Sequence, residues 1–213
     1  PQEGRNALDA AVLGYVNVAA LRQHILPTER IHGVFTRAGD KANIVPAETS
    51  MTWMVRSPTI ASLQPLKGRV VACLEASAAA TGCSCTHSWQ DVTYADMIDN
   101  GPMVASYVAN AALLGRTVRD PLAIGHPVVG STDMGNVSHV VPSIHPMVQV
   151  ADDGVPIHTA AFAEFARSER GDRAVLDGAK AMAMTVIDLW ADARLRDEVA
   201  AHFAGRPADG NVL

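Results

Sequence analysis

The sequence predicts a mixed α/β protein of two domains, the first of which is of α+β type. Three observations predict this class. Helix-like and strand-like patterns follow one another over residues 1–98 in the order helix, strand, strand, helix, strand. A polar stretch with Gly and Pro covers residues 96–102, and helical patterns dominate the remainder. We therefore expect domains at 1–98 and 99–213, the first being a split β-α-β-β-α-β unit whose first strand would lie upstream of Pro1.

The first helix is predicted from Asn6, a candidate N-cap, to about Ile25, ahead of the helix-breaking Pro27. Its apolar residues recur at helical spacing: Leu8, Val12, Tyr15 and Ala19. A second helix is predicted from Pro58 to about Ala80. The expected buried face of that helix is Leu63, Leu66, Val70 and Cys73.

Two strands are predicted between these helices, at 31–36 and 50–56, because β-branched and aromatic residues are concentrated there. A turn over residues 38–43 suggests that they form an antiparallel pair. Side chains alternate along a strand. One face should carry Ile31, Gly33 and Phe35, and the other His32, Val34 and Thr36. A third strand is predicted from Cys83 to Trp89.

In the second domain, helices are predicted at 103–114, 160–167 and 172–193. Residues 118–156 contain many Gly and Pro, so we expect mostly loop there, with short buried strands around Val128 and Val140. The helix predicted at 172–193 should be a core helix with a buried apolar stripe: Val175, Ala179, Met182, Val186 and Leu189.

The composition disfavours two classes of partner. A net charge of -5 and a pI near 5.9, without a block of like charges, offer no surface for nucleic acid or for an anionic membrane. No apolar run reaches the roughly 18 residues that a membrane-spanning helix needs. Cys73, Cys83 and Cys85 lack C-x2-C spacing and indicate reduced thiols in a cytoplasmic protein.

Two segments of the second domain contain residues suited to ligand binding. Ser131 and Thr132 lie in a run of small polar residues that suits a loop binding a carboxylate or carbonyl, and by composition a plain turn is an equal alternative. His158 precedes a predicted helix, where its ring can reach a metal, although composition alone favours a structural histidine. Further candidate ligands lack a partner at a recognised metal spacing: His126, His139 and His145.

In the first domain, His32 and Asn43 lie near strand ends, where polar side chains can project toward a ligand. The alternative is a solvated edge strand followed by an Asx turn. Arg56 can bind a carboxylate, or it can simply lie exposed on the solvent-facing side of the sheet. The sequence contains no G-x-S-x-G elbow, no phosphate-binding Gly loop and no H-E-x-x-H helix, which disfavours serine hydrolases, nucleotide-binding proteins and zincins.

Five ordered segments resemble the aminoacylase and carboxypeptidase family of metal-dependent amidohydrolases, peptidase family M-twenty, and within it the aminobenzoyl-glutamate hydrolase branch. The segments are GRNALDAAVLGYVNVAALRQ, RIHGVFTRAGDKANIVPAE, MTWMVRSP, GSTDMGNVSHVVPSIHP and PIHTAAFAEFA. The resemblance reaches at least Leu189 and covers the C-terminal portion of family members. It implies a lid or dimerisation domain at 1–98, incomplete at its N-terminus, and the C-terminal part of an α/β metallohydrolase catalytic domain at 99–213.

The same resemblance implies roles for the candidate residues. His32 matches the lid histidine that reaches the partner subunit's site in a homodimer and polarises the scissile carbonyl. Asn43 matches a lid asparagine that holds the substrate, and His158 matches the last metal ligand. Ser131 and Thr132 fall in the substrate-facing loop. The expected cofactors are divalent ions, zinc or manganese, with two in a complete site.

The other metal ligands and the general base of the family belong to a region N-terminal to the lid, and no residue of this chain matches them. A catalytic zinc normally takes about three protein ligands. We therefore expect this chain to act only with an upstream segment, in the same polypeptide or as a second chain. The predicted reaction is hydrolysis of a C–N bond in a small carboxylate-bearing substrate, such as an N-acyl or aminobenzoyl amino acid or a dipeptide. Hydrolytic deamination of an aromatic amine and a non-catalytic dimerisation or scaffold role are the alternatives.

Overall fold

A computed structural model describes residues 2–120 and 130–206. The described chain is a mixture of helices with one two-stranded sheet, which confirms the α+β character predicted from the sequence. Its contacts divide it into two units, and the boundary along the chain falls between Asp96 and Met97. Among the described residues, no helix combines the length and hydropathy needed to cross a membrane.

The first unit packs two helices on one face of the sheet. Its elements are α1 at Ala7–Leu21 with a 3-10 turn at Arg22–His24, β1 at Arg30–Arg37, β2 at Ser50–Arg56 and α2 at Ile60–Ala80. The strands pair antiparallel, and Ile31 lies opposite Val55. The core lies between the helices and β1, where four buried residues contact one another: Val18, Ile31, Leu66 and Val70.

The first helix has its cap at the predicted Asn6, and the second begins at Ile60, two residues after the predicted Pro58. The side chain of Asn6 accepts a hydrogen bond from the amide of Leu8 at 2.9 Å, so it caps α1. Thr59 and Ser62 form a capping box at the start of α2. The buried face of α1 is narrower than predicted, because Ala11, Gly14 and Val18 are buried and the predicted Val12 and Ala19 are exposed.

The predicted strand at Cys83–Trp89 is wrong. This segment follows α2 without forming a ladder, and residues 84–90 are exposed. An extended segment becomes a strand only when a neighbouring strand exchanges backbone hydrogen bonds with it. Within the described part of the chain, the sheet contains β1 and β2 only.

The second unit is helical. Its elements are α3 at Gly101–Leu113, α4 at Met134–Ser138, α5 at Ala160–Ala166, α6 at Glu169–Ala191 and α7 at Ala193–Ala204. Its core joins α3 to α6 through Tyr107, Ala111 and Ala181. The amide side chain of Asn100, which caps α3, donates to the carbonyl of Val199 at 3.0 Å and so ties α7 to the start of α3.

Two expectations for this unit are wrong, and a third lies outside the described residues. Val140 is half exposed and lies in a turn after α4, because its amide donates to the carbonyl of Val137 at 2.9 Å and is not free for a ladder. The strand expected around Val128 falls in the part not described. The stripe predicted to be buried on α6 is mostly exposed, with Val175 at 72% and Met182 at 52%. Small residues form the buried face of α6 instead, because they allow α3 and Val148 to approach closely.

Candidate functional site

His32 lies on the outer face of the sheet, which we define as the face turned away from α1 and α2 and carrying His32, Val34, Met54 and Arg56. The alternation predicted for β1 is confirmed, since Ile31 is buried against the helices while His32 and Val34 are exposed. Met54 lies directly opposite His32 on β2. The imidazole is therefore presented to the outside of this unit.

The backbone on both sides of His32 is held in place. The guanidinium of Arg22 donates to the carbonyl of Ile31 at 3.0 Å. Gly33 pairs with Trp53 across the strands, and the indole ring covers it. A side chain on a strand whose neighbours are locked by packing has little freedom to tilt, so the direction of His32 is set by the sheet.

Arg56 lies on the same outer face as His32. Its Nε and Nη2 atoms contact the sulfur of Met54 at 3.1 and 3.0 Å, and Met54 is the cross-strand neighbour of His32. None of the described carboxylates pairs with this guanidinium. The structure thus places on one surface an exposed imidazole and a cation that has no carboxylate partner among the described residues.

Asn43 lies at the tip of the loop between the strands. The amide of Ile44 donates to the carbonyl of Lys41 at 3.1 Å, so Asn43 occupies the third position of a turn. The amide of Ala7 donates to the carbonyl of Pro46 at 3.0 Å and anchors the loop to the start of α1. This confirms the predicted turn and leaves the Asn43 side chain exposed.

Ser131 and Thr132 lie just before the short helix α4 of the second unit, separated from it by the N-cap residue Asp133. The hydroxyl of Thr132 accepts a hydrogen bond from the amide of Met134 at 3.2 Å, which fixes the entry to that helix. Its own proton is still available for donation to another acceptor. Ser131 is exposed. Both hydroxyls therefore lie at a turn. This position fits a ligand-binding loop and also fits the plain turn that the sequence analysis gave as the alternative.

His158 adopts a backbone conformation that is rare for its residue type. Its φ angle is +64°, and among the described residues it is the only one other than glycine with a positive φ. The next residue, Thr159, caps α5, since its hydroxyl accepts from the amide of Phe162 at 3.2 Å and donates to the carbonyl of Pro156 at 2.8 Å. Left-handed conformations outside glycine cost free energy and cluster at functional sites. No pattern in the sequence predicts the positive φ angle of His158.

The described residues do not complete a metal site. Over residues 2–120 and 130–206, no group of three or more His, Cys, Asp or Glu side chains is placed to hold a metal ion. His139 is buried beside α4, and His126 lies outside the described residues. His158 therefore remains a single candidate ligand, and the donor set of this part of the chain does not fit a bound ion.

A cavity of about 360 Å³ opens in the second unit between α3 and α6. None of the six predicted site residues lines it. The charged side chains of its lining have partners: Nε of Arg116 donates to the carboxylate of Asp177 at 2.9 Å, and Arg119 donates to the carboxylate of Asp153 at 3.2 Å. Burial raises the pKa of the Tyr107 hydroxyl in its wall, against the smaller opposing effect of the Arg116 charge. We assign no ligand to this cavity.

Comparison with known proteins gives a consistent set of relatives. The chain is 38% identical over 213 residues to Xaa-Arg dipeptidase of Mus musculus, which is 100% of this chain and 49% of the relative. It is 37% identical over 190 residues to Xaa-Arg dipeptidase of Homo sapiens, covering 89% of the chain and 43% of the relative. It is 24% identical over 251 residues to one of the subunits of p-aminobenzoyl-glutamate hydrolase of Escherichia coli, covering 93% and 52%.

These matches extend along nearly the whole chain but not along the relatives. The chain spans about half the length of the curated relatives it matches. No family model matches it.

Proposed function

Because the chain belongs to the amidohydrolases of peptidase family M-twenty, we propose that it forms part of an enzyme that hydrolyses the amide bond of a small carboxylate-bearing substrate, foremost a dipeptide. One observation carries the proposal: Xaa-Arg dipeptidase of Mus musculus matches the full length of this chain at 38% identity. The more distant hydrolase of aminobenzoyl-glutamate acts on a related amide bond, so the reaction type is common to both.

His32 would bind the scissile carbonyl oxygen. It is exposed on a rigid sheet, and its imidazole is turned away from the core of its own unit. An imidazole N–H directed at an oxygen that gains negative charge stabilises the transition state more than the substrate. The ring faces outward, and this position supports the proposal that His32 serves the site of the partner subunit in a homodimer.

Arg56 would bind the carboxylate of the substrate. Its guanidinium rests on the sulfur of Met54, which orients it without neutralising it. A guanidinium binds a carboxylate through two parallel hydrogen bonds. Asn43, Ser131 and Thr132 would add neutral donors, since all three retain hydrogen atoms that can be donated to a substrate oxygen.

His158 would be one ligand of a metal site that this chain does not complete. We name the polypeptide that supplies the other ligands and the general base the companion segment, and we propose that it lies upstream in the same enzyme. The relatives are about twice as long as this chain, which leaves room for it. The divalent ions would be zinc or manganese, two per complete site.

Hydrolysis assays on the full gene product test this function. We expect release of free arginine from an Xaa-Arg dipeptide, slower cleavage of aminobenzoyl-glutamate, and loss of activity with a chelator. Failure to cleave either substrate would remove amide hydrolysis from consideration and favour a scaffold role. Chelator-insensitive cleavage would remove the metal site.

Substitutions test the assigned residues. His32→Ala should lower kcat by roughly 100-fold with intact folding, because one oxyanion donor is worth about that much. Val34→Ala, on the same exposed face, is the matched control and should leave kcat unchanged. Arg56→Ala should mainly raise KM. Equal activity of the His32 and Val34 variants would contradict the assignment.

A further inference from the structure

The thioether of Met54 lies against the guanidinium of Arg56. The two residues are two positions apart on β2, so both side chains belong to the outer face of the sheet. Nε and Nη2 of Arg56 donate to the sulfur at 3.1 and 3.0 Å. Met54 is 52% exposed and is the cross-strand neighbour of His32. One methionine sulfur therefore contacts the residue proposed to bind the carboxylate and lies beside the residue proposed to bind the scissile carbonyl.

Exposure alone does not distinguish Met54 from other methionines. Met147 and Met182 are also exposed, at 73% and 52%. Among the described residues, however, Met54 is the methionine whose sulfur accepts hydrogen bonds from a cation. Met51 lies on the same strand, but it is only partly exposed and its methyl group packs toward Gly14 of α1. Met54 thus combines access to solvent with a place beside the proposed substrate-binding groups.

We propose that Met54 is an oxidative modification site, at which hydrogen peroxide lowers the affinity of Arg56 for the carboxylate of the substrate. This inference rests on the proposed function, which gives that carboxylate to Arg56. A sulfur lone pair attacks one peroxide oxygen, so that an S–O bond forms while the O–O bond breaks. Sulfur gives up two electrons and the peroxide takes them. The departing hydroxide accepts the proton of the transferred oxygen and leaves as water.

Oxidation changes the acceptor that Arg56 contacts. A thioether sulfur is a weak acceptor, whereas the sulfoxide is polar. The new oxygen is bonded to the atom that Nε and Nη2 already contact, so both groups can donate to it while Arg56 stays in place. A substrate carboxylate must then displace this oxygen before it can form its own parallel hydrogen bonds with the guanidinium. The sulfoxide should therefore weaken substrate binding and leave the chemistry at the scissile carbonyl unchanged.

The modification of Met54 is reversible. Methionine sulfoxide reductases convert the sulfoxide back to the thioether. In that step two thiols are oxidised to a disulfide, and the oxygen leaves as water. The exposure of Met54 gives such a reductase access to the oxidised side chain. Recovery of substrate affinity after reduction would therefore distinguish a switch from permanent damage.

Kinetics of the full gene product, measured with an Xaa-Arg dipeptide before and after a limited peroxide treatment, test the effect on binding. We expect KM to rise roughly tenfold, which is the worth of one hydrogen bond to a charged group, while kcat stays the same. Methionine sulfoxide reductase with dithiothreitol should restore the original KM. Met54→Leu should have the same KM before and after peroxide, whereas the matched control Met147→Leu should keep the full response. A response that survives in Met54→Leu, or a rise that the reductase does not reverse, would overturn the proposal.

Chemical labelling of Arg56 tests the new contact without relying on activity. Phenylglyoxal modifies guanidinium groups, and mass spectrometry locates its product together with any oxygen added to Met54 or Met51. We expect Met54 to oxidise faster than Met51, and Arg56 to be labelled several-fold more slowly once Met54 is oxidised. Met54→Gln, which carries a carbonyl oxygen at the position of the sulfoxide oxygen, should slow the labelling without peroxide. Equal labelling of Arg56 in the oxidised and the untreated protein would contradict the proposal.

These experiments separate the modification of Met54 from the proposed function. If the protein hydrolyses neither substrate but oxidation of Met54 still slows the labelling of Arg56, the modification site stands and only the function is rejected. If the protein is active, Arg56→Ala should already have a raised KM that peroxide does not raise further. A further rise in that variant would show that the sulfoxide acts through another group, and the proposal would be wrong.

Discussion

The indole ring of Trp53 lies directly against Gly33 on the neighbouring strand. A Cβ atom added at residue 33 would stand 2.3 Å from Cε3 of the ring, far inside contact distance. The indole also packs on the ring of Tyr15 at 5.5 Å between centroids and against the core of the first unit. Gly33 is thus required for the close approach of the ring, and it is the immediate neighbour of His32.

Gly33→Ala should destabilise the first unit and disturb His32. The ring is packed against Tyr15 and the core of the unit, so overpacking should cost about 1–3 kcal/mol. The measurement is the free energy of unfolding in urea, followed by Trp fluorescence. Gly68→Ala is the matched control with the opposite expectation. Gly68 lies within α2 with no atom near its missing Cβ, and alanine there should stabilise by up to about 1 kcal/mol.

His158→Gly should stabilise the protein while abolishing hydrolysis. At φ +64° glycine has no steric penalty, whereas other residues pay about 1–2 kcal/mol, partly offset by the greater entropy loss of glycine on folding. We expect a gain of up to about 1 kcal/mol in the free energy of unfolding. His158→Ala removes the same ring but keeps the strain, so it should lose activity without the gain. Destabilisation by glycine at this position would argue that the imidazole supports the fold.

Local features of the fold were predictable from the sequence because their causes are local. The cap at Asn6 and the alternation along β1 follow from side-chain hydrogen bonding and strand geometry within a few residues. The outward direction of His32 is one of these features. The roles of the candidate site residues rest on resemblance and stay predictions.

Features that depend on neighbours were not predictable. On α1 and α6, the larger apolar residues suggested the buried face, yet small residues such as Gly14 and Gly178 contact the rest of the unit. Small side chains allow helices to approach closely, and periodicity alone does not distinguish a face packed within the chain from one suited to another partner. The strand predicted after α2 was wrong for a related reason, because extended backbone forms a ladder only when a second strand pairs with it.

Asp188→Ala should destabilise the contact between α3 and α6. Its carboxylate accepts hydrogen bonds from the side chains of Ser106 at 2.8 Å and Asn110 at 2.7 Å, and Asn110 is buried. Removing the acceptor leaves these donors poorly satisfied, at a cost of about 1–3 kcal/mol. Asp188→Asn retains one acceptor oxygen and should lose less. Equal losses in a urea titration would mean that the charge, and not hydrogen bonding, stabilises this contact.

Tyr107 should make the stability of the second unit fall at alkaline pH. Burial raises the pKa of its hydroxyl above the ordinary value near 10, so the folded state binds this proton more tightly than the unfolded state. The contribution is complete below the unfolded pKa and is lost as pH rises through the higher folded pKa. Tyr107→Phe should therefore flatten the decline in unfolding free energy above about pH 10. Tyr94→Phe, at an exposed tyrosine, should leave the slope unchanged, and parallel declines in the wild type and the Tyr107 variant would show that other groups cause it.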